Sequence, residues 1–402
     1  VRLYRIGLFT DAYLPNANGV ATSVYLLKRE LRRMGHEAWV LAPEMPDADP
    51  REEWVVRVPS VAYPFFEDQR LAMPSSRLLP TEFEIFHTHT PLFIGIWGAR
   101  LAYRNRLPHV STFHTHVEKY THYVPGMTTL DKYVGIIQKV CQAFYNRADL
   151  VIAPTDPVKK LAESYEIKRE IRVIPTGIDT DILQAAPDPP SPWPSGKRRL
   201  LHVGRLGKEK SVDVVIRALA EIRKESDAHL ALVGMGPELH LLTRLAQQLG
   251  VGDNVTFVGA VPYEKIGGYY RMAELFLFAS ETETQGLVIW EAQAVGLPVV
   301  IVGAEGALQG VDEGSSGYLV RPGDYQAMAQ KALELLRDEH LRQRFSEGAR
   351  KFADRRTARR VAEQIVAIYD EATRLVEIEP RRLKIPFPLL PQSILSNPRQ
   401  GS

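Results

Sequence analysis

Short apolar runs alternate with stretches of helical periodicity along the first half of the chain. Tyr4 to Phe9, Ala38 to Leu41, Phe83 to Phe86, Val110 to Phe113, Leu150 to Ala153 and Ile171 to Ile174 read as buried strands. Between the first two, Val20, Val24, Leu27, Leu31 and Met34 recur at i, i+4, i+7, i+11 and i+14, one face of a helix that Gly35 stops. This rhythm predicts parallel strands joined by helical crossovers. It breaks at DPPSPWPSGKRR, Asp188 to Arg199, where prolines and small residues argue against regular structure. It then restarts with Leu200 to Val203, Leu230 to Val233, Val255 to Val258, Leu275 to Phe278 and Val299 to Val302.

The expected fold class is α/β, with two Rossmann-like doubly wound domains facing a central cleft at the C-terminal strand ends. The expected division is 1–187, a linker over 188–199, and a second domain over 200–355. Val361, Ile365, Ile368 and Ala372 mark a final amphipathic helix over 356–376, expected to pack back on the first domain, before a proline-rich irregular tail over 377–402. Composition changes this picture little: 402 residues suit two cores, and a net charge of +2 gives no case for nucleic acid. Cys141 is the only cysteine, which excludes an internal disulfide and fits a reducing compartment. The opening VRLYRIGLFT reads as a strand, not a signal peptide, and no apolar run approaches bilayer length. The expected location is therefore cytoplasmic, at most peripheral to the inner face of a membrane.

The richest chemistry lies in SETETQGLVIWEAQAVGLPVV, Ser280 to Val300, where Glu283 and Glu291 stand eight positions apart. A helix starting near Gly286 places Glu291 inside it and Glu283 in the preceding loop, so the pair either spans a helix N-terminus suited to a diphosphate or is simply two carboxylates on a solvated loop and helix. The first strand runs into FTDAYLPNANGVATSV, in which Gly19 precedes a helix and serves either close anion approach or a plain turn. After the first strand of the second half comes HVGRLGKEKSVD, with Gly204, Arg205 and Lys210. Its two cations suit a diphosphate, Arg as a planar fork and Lys as a point charge, or else simply make a basic surface loop. VGMGPE, Val233 to Glu238, carries a weaker glycine signal common to strand-to-helix turns.

Together these segments resemble glycosyltransferase family 4, the retaining nucleotide-sugar transferases of GT-B fold. The resemblance runs through Gly19, IPTGID at Ile174 to Asp179, GRLGKEKS at Gly204 to Ser211 and ETQGLVIWEAQAVGLPVV at Glu283 to Val300. It implies that Arg205 and Lys210 clamp the diphosphate beside Gly204, that Glu283 contacts the donor sugar and that Glu291 contacts the ribose. The backbone of Gln285, Gly286 and Leu287 would face sugar and phosphate. Ser211 departs from the family, which often has glycine or asparagine there.

Two histidine-rich segments, HTHTP at His87 to Pro91 and TFHTHVEKYTHYVP at Thr112 to Pro125, lie in the first half. Paired histidines at strand ends can bind zinc, but no thiolate lies near to complete a site. The resemblance places His114 against the donor sugar at the reaction centre. The extended segment, with His116, Tyr120, His122 and Tyr123, resembles bacterial diacylglycerol glucosyltransferases and implies acceptor-side roles; for His87, His116 and His122 ordinary packing is the alternative. Asp179-Thr180-Asp181 and Asp47-Ala48-Asp49 spell D-x-D, a metal pattern of another glycosyltransferase fold, yet Asp179 after Gly177 suits a cap or turn. No metal or other cofactor is inferred. The expected reaction moves a hexose, with UDP-glucose as the expected donor, onto diacylglycerol or a glycolipid. Phe65, Phe66, Arg70, Arg77 and the stretch Arg381 to Leu390 would meet an anionic membrane. A soluble sugar or metabolite acceptor, a nucleotide-sugar epimerase and a lipid-binding module without turnover are the alternatives.

Overall fold

The computed structural model describes residues 2–15, 19–63, 66–114, 130–283 and 285–378. Its first sheet contains β1 (Arg5–Phe9), β2 (Glu37–Pro43) and β3 (Val55–Val58) on one side. An antiparallel hairpin, β4 (Ser60–Tyr63) and β5 (Phe66–Ala72), follows outside the sheet. The chain returns through β6 (Ile85–Thr88), β7 (His109–Thr112), β8 (Leu150–Ala153) and β9 (Ile171–Val173). The spatial order is β3-β2-β1-β6-β7-β8-β9, and every pairing is parallel. The helices α1 (Gly19–Arg33), α2 (Phe93–Asn105), α3 (Leu130–Tyr145) and α4 (Asp156–Ser164) make the connections. All residues of β6, β7 and β8 are buried, as expected of strands covered on both faces.

The second sheet repeats the plan. After α5 (Thr180–Ala185) come β10 (Arg198–Val203), α6 (Val212–Ile222), β11 (Ala228–Val233), α7 (Leu239–Gln248) and β12 (Val255–Gly259). Then follow α8 (Tyr263–Met272), β13 (Leu275–Phe278), α9 (Leu287–Ala294), β14 (Val299–Val302) and β15 (Gly317–Val320). The order β12-β11-β10-β13-β14-β15 is again all parallel. Strand order reverses between β1 and β6 in one sheet and between β10 and β13 in the other. At such switch points the loops after the two strands diverge and leave a crevice for ligands. The segments carrying Gly19, the Gly204–Lys210 cations and the Glu283–Glu291 pair leave β1, β10 and β13 at these switch points, while His114 follows β7.

One stretch differs from the sequence expectation. Ile178, Leu183 and Trp193 pack in the core of the second sheet, and the Trp193 indole N–H donates 2.9 Å to the Leu200 carbonyl. Within 188–199 Trp193 alone is buried, most of the other residues are exposed, and the last two already belong to β10. Prolines there prevent sheet pairing without preventing the burial of Trp193. The chain leaves the second domain through α10 (Tyr325–Arg337), α11 (Glu339–Ala353) and α12 (Ala358–Ile378). Val361, Ala362, Ile365, Ile368, Tyr369 and Ala372 of α12 are buried among Leu27, Leu31, Val110 and Ile152 of the first domain.

Crossing 174–178 therefore meets crossing 356–358. Ile178 N–H donates to Arg356 O at 2.8 Å, and Ala358 N–H to Ile178 O at 2.9 Å. A Cβ on Gly177 would stand 2.5 Å from Ala358 Cα, so only glycine admits this approach.

Candidate active site

The turn after β10 is stapled to the turn after β11. Gly204 N–H donates to Val233 O at 3.0 Å, Leu206 N–H to Met235 O at 2.9 Å, and Glu238 N–H to Leu206 O at 3.0 Å. Added Cβ atoms on Gly234 and Gly236 would lie 1.9 Å from Gly204 O and 2.2 Å from Leu206 O. The glycines of VGMGPE thus serve to hold the neighbouring Gly204–Lys210 loop. A single 3-10 turn, Lys208–Lys210, delivers Lys210 into an ion pair with Glu283. Both side chains are largely covered, whereas Arg205 is 57% exposed and meets only Glu209, at 3.5 Å, as an ion partner among the described residues. So exposed a pair contributes little, which leaves the Arg205 fork free to swing onto an anion.

Ser211 follows at φ 47°, ψ 41°, in the left-handed region. An L-residue with a Cβ is strained there, and this accounts physically for the glycine or asparagine that the family often carries. Ser211→Gly is expected to stabilise the fold by about 0.5–1 kcal/mol, the relief of strain being partly offset by the greater freedom of glycine when unfolded. Denaturant melts of the two proteins measure it; a lower midpoint for the glycine variant would mean that the site is unstrained.

The other wall is the loop after β13. Gly286, at φ 57°, ψ 49°, caps α9, and Leu287 is the first helical residue. The first N–H groups of α9 lack intrahelical partners, and the loop that leads into them carries Glu283, the partner of Lys210. One turn further on, Glu291 is 7% exposed and accepts 2.9 Å from the Tyr270 hydroxyl. Burial pushes its pKa up to about 7, opposed by the hydrogen bonds from Tyr270 and Tyr263.

In the first domain His114 follows β7, with its Nε2 3.0 Å from Nδ1 of His89, which follows β6. The two rings stack at 5.2 Å, and His87 lies 4.1 Å from His89, centroid to centroid. His87 bonds to the Tyr369 hydroxyl at 2.8 Å and to Thr112 Oγ1 at 2.7 Å, so its role is packing. Burial keeps all three imidazoles neutral: it pushes His114 down to about 4 and His87 and His89 well below the ordinary histidine range. His89, His114, Thr112, Thr176 and Gly177 line one crevice. Gly19 opens α1, and a Cβ there would meet nothing within 4 Å. Packing therefore does not require glycine at that position.

Three connecting residues were given no role by the sequence. Asp11, after β1, accepts 2.9 Å from Ile94 N–H, 3.2 Å from Gly95 N–H and 2.6 Å from the Thr90 hydroxyl. It caps α2 from across the switch point, and no local pattern announces this. Thr176 and Arg356 tie Gln285 to the two crossings, as described below. The D-x-D segments hold structure: Asp179 caps α5 through Ile182 N–H at 3.1 Å and pairs with Arg29, while Asp181 meets Arg33 at 2.7 Å. Asp49 accepts 2.8 Å from Arg51 N–H. Among the described residues no three metal-ligating side chains gather. His116, Tyr120, His122 and Tyr123 lie outside the described residues, as do Phe65, the Phe66 side chain and Arg381 to Leu390.

Two all-parallel sheets, each with its anion-ready loops at a switch point, define a GT-B glycosyltransferase architecture. The solved structure of Anabaena Alr3699/HepE in complex with UDP has this fold, with a TM-score of 0.68 over 91% of this chain and 100% of that one at 21% identity. Residues 17–182 match the family model Glycosyltransferase Family 4, and residues 184–352 match Glycosyl transferases group 1. An alpha-monoglucosyldiacylglycerol synthase of Streptococcus pneumoniae is 34% identical over 316 residues, 74% of this chain and 71% of the relative. A GDP-mannose-dependent alpha-mannosyltransferase of Corynebacterium glutamicum is 28% identical over 359 residues, 84% of this chain and 82% of that one. The chain belongs to glycosyltransferase family 4, a family of retaining, metal-independent enzymes.

Proposed function

We propose that the enzyme transfers glucose from a nucleoside diphosphate, UDP-glucose, to a lipid hydroxyl such as that of diacylglycerol or a glycolipid. The observation that carries the donor half is the convergence of Arg205, the Lys210–Glu283 pair and the α9 N-terminus at one switch point. Cleavage of the glycosidic bond puts negative charge on the departing diphosphate. Fixed cations and helix N–H groups aimed at that charge stabilise the transition state. Glu291 receives the ribose hydroxyls. His114, held at about 4 by burial, is neutral and a poor base near pH 7. Its role is to orient and polarise the donor sugar, while the leaving phosphate oxygen takes the acceptor's proton on the same face. Closure of the domains excludes water, which would otherwise hydrolyse the donor.

For sugar and acceptor, the pneumococcal relative's name supports a glucosyl donor and a diacylglycerol lipid. The mannosyltransferase relative favours GDP-mannose as a second reading. Incubation with radiolabelled UDP-glucose or GDP-mannose and a lipid extract tests both. Label from UDP-glucose in the lipid phase supports the first; label only from GDP-mannose supports the second. An isomerised donor would indicate an epimerase, and no change a binding module.

A lipid acceptor requires access to a bilayer, and no helix among the described residues is long and apolar enough to cross one. Val61 and Met73, on and just beyond the β4–β5 hairpin, are 49% and 58% exposed. Arg77 lies nearby and is exposed as well. Arg70 instead serves the hairpin, donating 2.7 Å to Ser60 Oγ. Apolar contact plus basic groups, each contributing about 1 kcal/mol near an anionic surface, is expected to give reversible binding. In flotation the protein should rise with anionic vesicles, less with neutral ones and less again in high salt. Failure with both vesicle types would favour a soluble acceptor.

A further inference from the structure

Arg356 is 4% exposed, and no carboxylate pairs with it among the described residues. A buried guanidinium without a counter-charge is costly, and its hydrogen bonds must offset that cost. Its Nε donates 2.9 Å to the carbonyl of Thr176, and its Nη2 donates to Gln285 Oε1. The same Gln285 oxygen accepts 2.8 Å from Thr176 N–H, and Gln285 Nε2 donates 2.9 Å to Thr176 Oγ1. The guanidinium lies 4.5 Å over the ring of Trp290, the residue before Glu291. Burial lowers its pKa to about 9. One side chain therefore joins the first crossing, the second crossing, the donor-facing loop and α9. Thr176 also lines the crevice beside His114.

We propose that Arg356 is a positioning residue that locks the Gln285–Leu287 loop to both interdomain crossings, so that nucleotide-sugar binding at the loop and the setting of the two domains form one equilibrium. The proposal rests on the nucleotide-sugar reading of the site. A conventional structural arginine would only stabilise the junction, whereas this one sits where a shift of either crossing must pull on Gln285. The planar fork is what permits simultaneous contact with a backbone carbonyl and an amide oxygen, and lysine cannot reproduce it.

Arg356→Lys is therefore expected to raise the donor KM about tenfold with kcat changed less than threefold. Compaction on adding UDP or GDP, read by small-angle scattering, should need about tenfold more nucleotide. Hydrogen exchange at the Thr176 amide of the free protein should quicken at least tenfold. Thr176→Val removes only the hydroxyl that receives Gln285 Nε2, and should shift KM and exchange in the same direction by about threefold. It carries the test if Arg356→Lys does not fold. Unchanged KM and unchanged Thr176 exchange in a folded variant would overturn the proposal, even if its melting temperature fell. If the wild-type protein binds neither UDP nor GDP, the functional reading fails. The exchange data on free protein then still decide whether Arg356 holds the loop.

Discussion

Lys210→Ala is expected to lower kcat by at least about a hundredfold, and Arg205→Ala by a similar factor, with the folded structure intact. A hundredfold corresponds to about 2.7 kcal/mol of transition-state stabilisation, the size found when one charge-directed donor is removed from a developing anion. The two cations reach that task from different starting points. Lys210 is already engaged with Glu283, so its removal also leaves a carboxylate only 14% exposed without its cation. Arg205 is exposed, so its removal takes away only its surface contact with Glu209. Lys210→Ala and Glu283→Ala should therefore be strongly non-additive, since each single change already breaks the pair. Arg205→Ala should leave the melting temperature unchanged. Turnover near that of the wild type in either cation variant would remove the clamp from the mechanism.

What made these residues visible in the sequence was their closeness along the chain. Gly204, Arg205 and Lys210 fall within one strand-to-helix turn, and Gly286, Leu287 and Glu291 within one helix start. Strands buried on both faces were equally legible: Leu150–Ala153, Leu275–Phe278 and Val299–Val302 are uninterrupted apolar runs. The edge strand Val55–Val58 carries an arginine and is only partly buried, and β15 begins with a glycine, so neither forms such a run. Trp193 was not singled out, because the prolines around it mark an irregular segment while its own indole is buried. Thr176, Gln285 and Arg356 meet across 109 and 71 positions of chain, and only the folding of two crossings against each other brings them together. No spacing rule reaches that far. The histidine stack was half legible: the pairs were visible, but the contact of His89 with His114 depends on the neighbouring β6 and β7 ends.

Glu291→Gln should stabilise the free protein at alkaline pH while weakening its hold on the donor. Burial raises the Glu291 pKa from 4.5 to about 7. Between those values the folded protein retains a proton that the unfolded chain has released. Stability therefore falls as pH rises from about 4.5 through 7, and levels off above it. At 1.36 kcal/mol per pKa unit, the loss approaches about 3 kcal/mol at pH 8. Glutamine keeps the shape and an oxygen for the Tyr270 hydroxyl but never ionises, so the variant escapes that loss. Unfolding free energies of the two proteins should nearly coincide at pH 4.5 and diverge by up to about 3 kcal/mol at pH 8. The donor needs the opposite: ribose hydroxyls donate best to a carboxylate, and hydrogen bonds to a charged group contribute about 1.5–3 kcal/mol. The variant's donor KM should accordingly rise roughly ten- to a hundredfold. Wild-type nucleotide binding near pH 6.5 should release a proton, detected by calorimetry in buffers of different ionisation enthalpy, and the variant should release none. A stability difference that does not change with pH would show that Glu291 is ionised in the free protein, and its burial would then need a cation that the fold supplies elsewhere.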